Sequence, residues 1–246
     1  MELMGNEDRR SDRADSRKES IMKIVKLSAT NCYLLRCDGG YLQIDCGFPE
    51  EYNAYVRKLE RLGVDPSEIK YLLLTHHHDD HAGFAAKLLR KTGGRLIVSD
   101  KALPFLARGV FEGRGKPLNF RVRVILGTFS FFRKRVFSPV RPRPGDFIVA
   151  GDDHGLLRSI GIDGDILSTP GHTSDSITVV ISNGDAFVGD AAMNFLKICT
   201  IHYHPIFITD IDRVYKSWEK IERYGARVIY PSHGKPFGVE KLVVNR

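Results

Sequence analysis

Short apolar runs bounded by turn residues alternate along this chain with longer amphipathic stretches. Ile21 to Lys26, Asn31 to Arg36 and Tyr41 to Asp45 carry β-branched and aromatic residues and are parted by turns such as Asp38-Gly39-Gly40. They read as an antiparallel meander. From about Glu50 to Leu62, Val56, Leu59 and Leu62 give an apolar stripe, with Pro49 before it and Gly63 after it, which predicts a helix. Tyr71 to Leu74 reads as a buried strand, and Ala82 to Arg90 as a helix closed by Gly93-Gly94. Arg95 to Val98 predicts another strand, and Asp100 caps a helix to about Ala107. The second half predicts strands at Asp146 to Ala150, Gly155 to Ile160, Asp165 to Ser168, Ser176 to Ile181 and Asp185 to Val188, with Ser182-Asn183-Gly184 as a hairpin turn. Ile211, Val214, Trp218 and Ile221 place a helix from Asp210 or Asp212 to about Tyr224, and Arg227 to Tyr230 is a last strand before Pro231-Ser232-His233-Gly234. Such alternation indicates an α/β protein. Strands followed by helices, twice over, suit a four-layer sandwich with two sheets inside and helices outside.

One stretch breaks the rhythm. Residues 109–144 hold Phe111, Phe120, Phe129, Phe131, Phe132 and Phe137 among cations, end in Pro139, Pro142 and Pro144, and show no clean helical period. From Arg108 to Arg143 there are ten Lys or Arg against one Glu, a local charge of +9 in a chain whose total is +7. The basic character is therefore local. The stretch reads as an insertion with some β content around Arg121 to Leu126. It is either a surface elaboration packed by its phenylalanines, or a lid or rim for an anionic or part-apolar substrate. Aromatics among cations also suit nucleic acid. Residues 1–20 are nearly all polar and read as a disordered charged tail, which leaves 21–246 as one domain. Met1 to Glu19 has no apolar h-region, and no apolar run approaches the ~20 residues of a membrane span. The expectation is a cytoplasmic protein with Cys32, Cys37, Cys46 and Cys199 as free thiols. Cys32 and Cys37 are an odd number of residues apart and should face opposite sides of one strand.

The candidate chemistry concentrates between a predicted strand and a predicted helix, in Thr75-His76-His77-His78-Asp79-Asp80-His81-Ala82-Gly83. Four His and two Asp fill six consecutive positions. These side chains bind borderline-soft divalent metals, and a strand-to-helix turn can aim several of them at one point. Three later stretches each offer one more donor after a predicted strand: His172 in Thr169-Pro170-Gly171-His172-Thr173, Asp190 in Gly189-Asp190-Ala191, and His233. A His after Pro-Gly is more often a turn residue than a ligand. Taken with the first cluster, the three supply candidate ligands at the same kind of place.

In these residues the chain resembles the metallo-β-lactamase superfamily of metal-dependent hydrolases, from about Ile21 to Pro236. The leading motif of that family, His-x-His-x-Asp-His, is present as His76, His78, Asp80 and His81, and its later single ligands match His172, Asp190 and His233. The resemblance implies an αββα sandwich, the metallo-β-lactamase fold, with a two-metal site between the sheets. It implies one ion on His76, His78 and His172, a second on Asp80, His81 and His233, and Asp190 bridging them. Asp45 matches an acid the family often has behind its ligands. The implied cofactors are two divalent ions, zinc by default from the His-rich set, although mixed His and carboxylate sites also accept manganese or iron. Two such ions hold a hydroxide between them and lower its pKa towards neutrality. That hydroxide attacks a carbonyl or phosphorus centre, and Asp80 is the expected proton donor to the leaving group. His77 and Asp79 occupy variable positions of the motif and are expected to support the ligands or to lie at the surface.

The expected reaction is hydrolysis of a small ester-like substrate: a lactone, a thioester or a phosphodiester. Lactonases of the family carry a Tyr shortly after the bridging Asp. This chain has Ala191-Ala192-Met193-Asn194 there, with Tyr203, flanked by His202 and His204, as either a substitute or a structural residue. Two alternatives stand beside small-ester hydrolysis. A phosphodiesterase or nuclease of the ribonuclease Z type needs the cations of 109–144 to face the metals. A non-catalytic metal-binding or sensor protein with the same fold is free to lose ligands, and this chain has lost none.

Overall fold

The computed structural model describes residues 22–110, 116–121, 123–124, 136–195 and 202–244. The tail at 1–20, Cys199, and Phe111, Phe129, Phe131 and Phe132 of the insertion lie outside the described residues.

Along the chain come β1 (Met22–Lys26), β2 (Asn31–Cys37), β3 (Gly40–Ile44), α1 (Tyr52–Arg61), β4 (Ile69–Leu73), α2 (Asp79–Ala82), α3 (Ala85–Thr92), β5 (Arg95–Ser99) and α4 (Leu103–Leu106). Then follow β6 (Lys116–Pro117), β7 (Phe147–Val149), α5 (Leu156–Ser159), β8 (Gly164–Ser168), β9 (Ile177–Ile181), β10 (Asp185–Gly189) and β11 (Phe207–Ile208). The chain closes with α6 (Ile211–Arg223), β12 (Val228–Pro231), β13 (Phe237–Gly238) and α7 (Glu240–Val244). One sheet runs β1-β2-β3-β4-β5-β7 and a second runs β13-β12-β10-β9-β8, while β6 and β11 form a separate pair. In both halves three antiparallel strands lead through a helix to a strand parallel to the third. β3 pairs with β4 across α1, and β10 pairs with β12 across α6.

The layers follow from alternation. On β2, Cys32 and Leu34 join a core with α1 and α3, while Tyr33 and Leu35 point the other way into the core between the sheets. Cys37 lies in that inner core, so Cys32 and Cys37 do face opposite sides. On β10, Phe187 enters the inner core, while Ala186 and Val188 pack against Val214, Trp218 and Ile221 of α6. Strands buried on both faces read as continuous apolar runs, which is why these runs were short and unbroken. The result is the expected αββα sandwich. Cys32, Cys37 and Cys46 are free and buried. Among the described residues no helix is long and apolar enough to cross a membrane.

Four sequence expectations differ from the structure, the simplest being the cap expected at Asp100: Ser99 Oγ accepts from Lys101 N, and Asp100 already lies in the helical turn. Gly155 to Ile160 is not a strand but the helical turn α5, because Asp153 Oδ1 accepts from the backbone N–H of Gly155 (3.0 Å) and Leu156 (2.7 Å). That Asx cap starts a helix, and Leu157 and Ile160 bury one helical face. The β content expected around Arg121 to Leu126 is not found among the described residues: Phe120, Arg121, Arg123 and Val124 are helical, and β6 lies earlier in the insertion. The helix expected from Ala82 to Arg90 is two helices, parted at Gly83 and Phe84. The first of them begins inside the His-rich motif at Asp79.

β8 and β10 both run antiparallel to β9, and β12 is parallel to β10. Their C-terminal ends therefore share one edge of the second sheet, and β3 and β4 end together on the first. Backbone bonds close the two edges on each other, from Asn31 N to Ser232 O (2.8 Å) and from Ile177 N to Thr75 O (2.9 Å).

Candidate metal centre

Each candidate donor leaves the C-terminal end of a strand at these facing edges. β4 leads into His76 and His78, α2 carries Asp80 and His81, β8 leads to His172, β10 to Asp190 and β12 to His233. Gly189 lets β10 make this turn: its φ is +55°, and a Cβ there would run into the side chain of Thr75.

The donors converge as two groups. His76, His78, His172 and Asp190 present ligand atoms within 4.8 Å of one another, and so do Asp80, His81 and His233. In the first group His76 Nε2 and His172 Nε2 lie 3.0 and 3.2 Å from His78 Nδ1. In the second, His233 Nε2 is 3.2 Å from Asp80 Oδ2, and His81 Nε2 is 3.7 Å from Asp80 Oδ1. Asp190 spans both: its Oδ2 is 3.5 Å from His172 Nε2, and its Oδ1 is 3.4 Å from His81 Nε2 and 3.3 Å from His233 Nε2.

Partners behind the rings set the tautomers. His172 Nδ1 donates to the carbonyl of Phe207 (2.7 Å), His233 Nδ1 to the carbonyl of Ala29 (2.9 Å) and His81 Nδ1 to Asp45 Oδ2 (2.8 Å). Thr75 Oγ1 gives its proton to Asp45 Oδ2 (2.8 Å), so it accepts from His76 Nδ1 (3.1 Å). A neutral ring held in this way turns its Nε2 lone pair inward. One proton on His78 Nδ1 can satisfy only one of the two nitrogens facing it. A cation satisfies all three, since nitrogens ~2.05 Å from a tetrahedral ion lie about 3.3 Å apart. His81 Nε2 and Asp190 Oδ1 point the same way: both are buried and, among the described residues, neither has a hydrogen-bond partner, although they are 3.4 Å apart. Two ligands of one cation approach without hydrogen-bond alignment in this manner. The donor set fits divalent metal.

The electrostatics carry the same demand for positive charge. Burial opposes a charged ring at His233, but the carboxylates of Asp190 and Asp80 push its pKa up to about 10. At His81, burial is likewise outweighed by Asp190, Asp45 and Asp80, which raise it well above the ordinary value. Burial and neighbouring imidazoles hold His76 and His78 well below it, and burial lowers His172. In the metal-free protein the His233 proton stabilises the fold fully below its ordinary pKa of about 6.5. That contribution is lost as pH rises through about 10. For His233 and His81 to serve as metal ligands, each would have to give up this proton. Zinc added to metal-free protein at pH 8 in weak buffer should therefore acidify the solution by about one to two protons per chain. A pH-stat reads this directly, and uptake of zinc without proton release contradicts it.

All seven sequence candidates (His76, His78, Asp80, His81, His172, Asp190 and His233) are brought together. Asp45 lies behind them, fully buried at φ +59°. It accepts from Thr75 N (2.8 Å), Thr75 Oγ1 (2.8 Å), His81 Nδ1 (2.8 Å) and Ser232 Oγ (2.9 Å). His77 is not at the surface: it is fully buried with Nδ1 2.9 Å from Asp175 Oδ1. Tyr203 packs its ring 4.4 Å from that of Phe237, and His204 packs 4.9 Å from Trp218, both half-buried against the core behind the second sheet. The carbonyls of Ala29 and Phe207 had no signature in the sequence, because a backbone acceptor is carried by every residue.

Part of the insertion lies beside this centre. β6 pairs with β11, matching Pro117 to Phe207 and Lys116 to Ile208, and Phe207 is the residue whose carbonyl holds His172. On another side Phe195, 42% exposed, has its ring 6.2 Å from that of His233.

A sequence profile described as the metallo-beta-lactamase superfamily matches residues 25–233. A beta-lactamase-like protein 2 homolog of Drosophila melanogaster is 26% identical over 90% of this chain and 65% of its own length. A probable metallo-hydrolase of Bacillus subtilis (strain 168) is 25% identical over 87% of this chain and 70% of its own length. The chain thus spans just under two thirds of the Drosophila relative. Among solved structures, a metallo-beta-lactamase family protein from Thermus thermophilus matches with a TM-score of 0.65 at 21% identity, over 91% of this chain and 77% of that one. A subclass B3 metallo-beta-lactamase of Bradyrhizobium japonicum matches with a TM-score of 0.64 at 19% identity, over 92% and 86%. At such identities the structural likeness concerns the fold. The profile, however, runs from β1 to the loop after β12 and takes in every residue of both donor groups, and by that match the chain belongs to the metallo-β-lactamase superfamily.

Proposed function

We propose that this protein is a di-metal hydrolase, with zinc as the default metal, that cleaves a small ester-like substrate. The observation that carries the proposal is Asp190, whose two carboxylate oxygens face separate donor groups. His76, His78 and His172 would hold one ion, Asp80, His81 and His233 the other, and Asp190 both. When bound, the two ions would polarise the scissile group and acidify water in the site.

Asp80 is the residue we assign to proton transfer. Its side chain is 19% exposed, against 0% for His81, 5% for Asp190 and 8% for His233, so it is the most open of the second group and its bridging carboxylate. In the metal-free protein burial raises its pKa, but His81 and His233 outweigh this and hold the carboxyl below the usual range. The Asp80 carboxylate would take a proton from the attacking water and hand it to the leaving group. The basic insertion, part of which lies beside His172, and the partly exposed Phe195 favour a substrate that is anionic and part-apolar. The charge of that insertion also keeps the nuclease reading in play.

A parallel assay on metal-reconstituted protein separates these readings. A lactone, a thioester and bis-p-nitrophenyl phosphate are compared, with Asp80→Ala as control. The proposal expects lactone or thioester turnover that falls by about 10²-fold or more in the control and responds weakly to salt. Turnover of the phosphodiester alone, weakening steeply with salt, assigns the protein to the nuclease class. Two bound metals with no turnover of any of the three favours the binding or sensor reading.

A further inference from the structure

Each donor group needs the two sheet edges held at a fixed separation, and side chains beyond Asp45, which supports His81 directly and His76 through Thr75, contribute to this. The edge carrying His81 and His233 is tied by Asp45 and by Asn31, whose Nδ2 donates to the carbonyls of Pro231 (3.2 Å) and Gly234 (2.8 Å). The edge carrying His76, His78 and His172 has another tie. His77 Nδ1 donates to Asp175 Oδ1 at 2.9 Å, and both side chains are 0% exposed. His77 stands between His76 and His78, and Asp175 follows His172 by three residues.

Stability alone does not explain this pair. Burying a carboxylate and an imidazole costs several kcal/mol per charged group, and an apolar pair of similar volume is commonly as stable or more so. The pair is also incompletely satisfied: among the described residues Asp175 Oδ2 is buried without a hydrogen-bond partner. Its surroundings fix its orientation. The Phe105 ring stacks on His77 at 4.4 Å and 20°, and the turn carrying Asp175 is closed by Thr173 Oγ1 and Ser176 Oγ at 2.7 Å.

We infer that His77 and Asp175 are a positioning pair that locks the His76–His78 loop onto the His172 loop and so sets the geometry of the first metal group. The inference rests on the di-metal reading above. Neither residue touches a metal or a substrate in this role. They act through the three rings their loops carry, as partners behind metal ligands do.

The test is a competitive zinc titration against a chromophoric chelator, run on the wild type, Asp175→Ala, Asp175→Asn and His77→Gln, with visible spectra of the cobalt-loaded forms. Asp175→Ala should weaken one of two ions by about 10–100-fold and leave the other unchanged. It should also alter the cobalt spectrum. Asp175→Asn keeps an acceptor for His77 and should restore most of the loss. Should Asp175→Ala not fold, Asp175→Asn and His77→Gln carry the comparison, with His77→Gln the weaker binder. Variants that melt earlier when metal-free, yet bind both ions with wild-type affinity and spectrum, would show a purely structural pair and overturn the inference. A wild type that takes up no pair of ions overturns instead the di-metal reading on which the inference stands.

Discussion

Asp190→Ala is expected to lose both ions on desalting and to lower turnover by ~10³-fold or more, equivalent to about 4 kcal/mol of transition-state stabilisation. Other single donor variants should be milder, because each removes one contact from one group. Asp190 has Oδ2 towards His172 and Oδ1 towards His81 and His233, so its loss opens both groups at once. It is also the leading carboxylate holding the charge of His233 and His81. Asp190→Asn keeps the shape but not the charge and should retain at most one ion. Metal analysis after desalting, with turnover on the same samples, checks both variants. Full metal content and turnover in Asp190→Ala would remove Asp190 from the site.

Asp45→Ala is expected to be the most destabilising substitution at the site. Four donors converge on this buried carboxylate: two from Thr75, one from Ser232 and one from His81. An alanine leaves all of them facing an apolar methyl, and losing a buried charged partner costs about 3–5 kcal/mol. The backbone adds to this, since φ is +59° there and alanine tolerates the left-handed region less well than aspartate. For a chain of this size the fall in Tm should be about 10 °C. Asp45→Asn keeps one acceptor and should fall less. Thermal melts of metal-free protein measure this without involving activity, and a melt within a degree or two of the wild type would contradict it.

The fold and the centre were legible in the sequence to different depths. The strands were readable because both faces of the sheets are buried, so Tyr33-Leu34-Leu35 or Val179-Val180-Ile181 leave no polar gap. The same property made Leu156 and Leu157 ambiguous, since a short apolar run does not tell a strand from a helical turn. The deciding group was Asp153, a cap whose effect depends on where its side chain points. The seven donors were legible because their residue types are rare in such density and fall after apolar runs. Their supports were not. Ala29 and Phe207 act through carbonyls, and Asp175 is separated from His77 by 98 positions, so no local pattern joins them.

If two metal ions make this protein a hydrolase, zinc stoichiometry and turnover must rise together. Metal-free protein is given increasing equivalents of zinc, and bound metal and ester turnover are read on each sample. The expected result is saturation at two ions per chain, with turnover completed by the second equivalent and abolished by a chelator. Saturation at fewer than two ions, or turnover that persists after the metal is removed, would rule out a di-metal hydrolase.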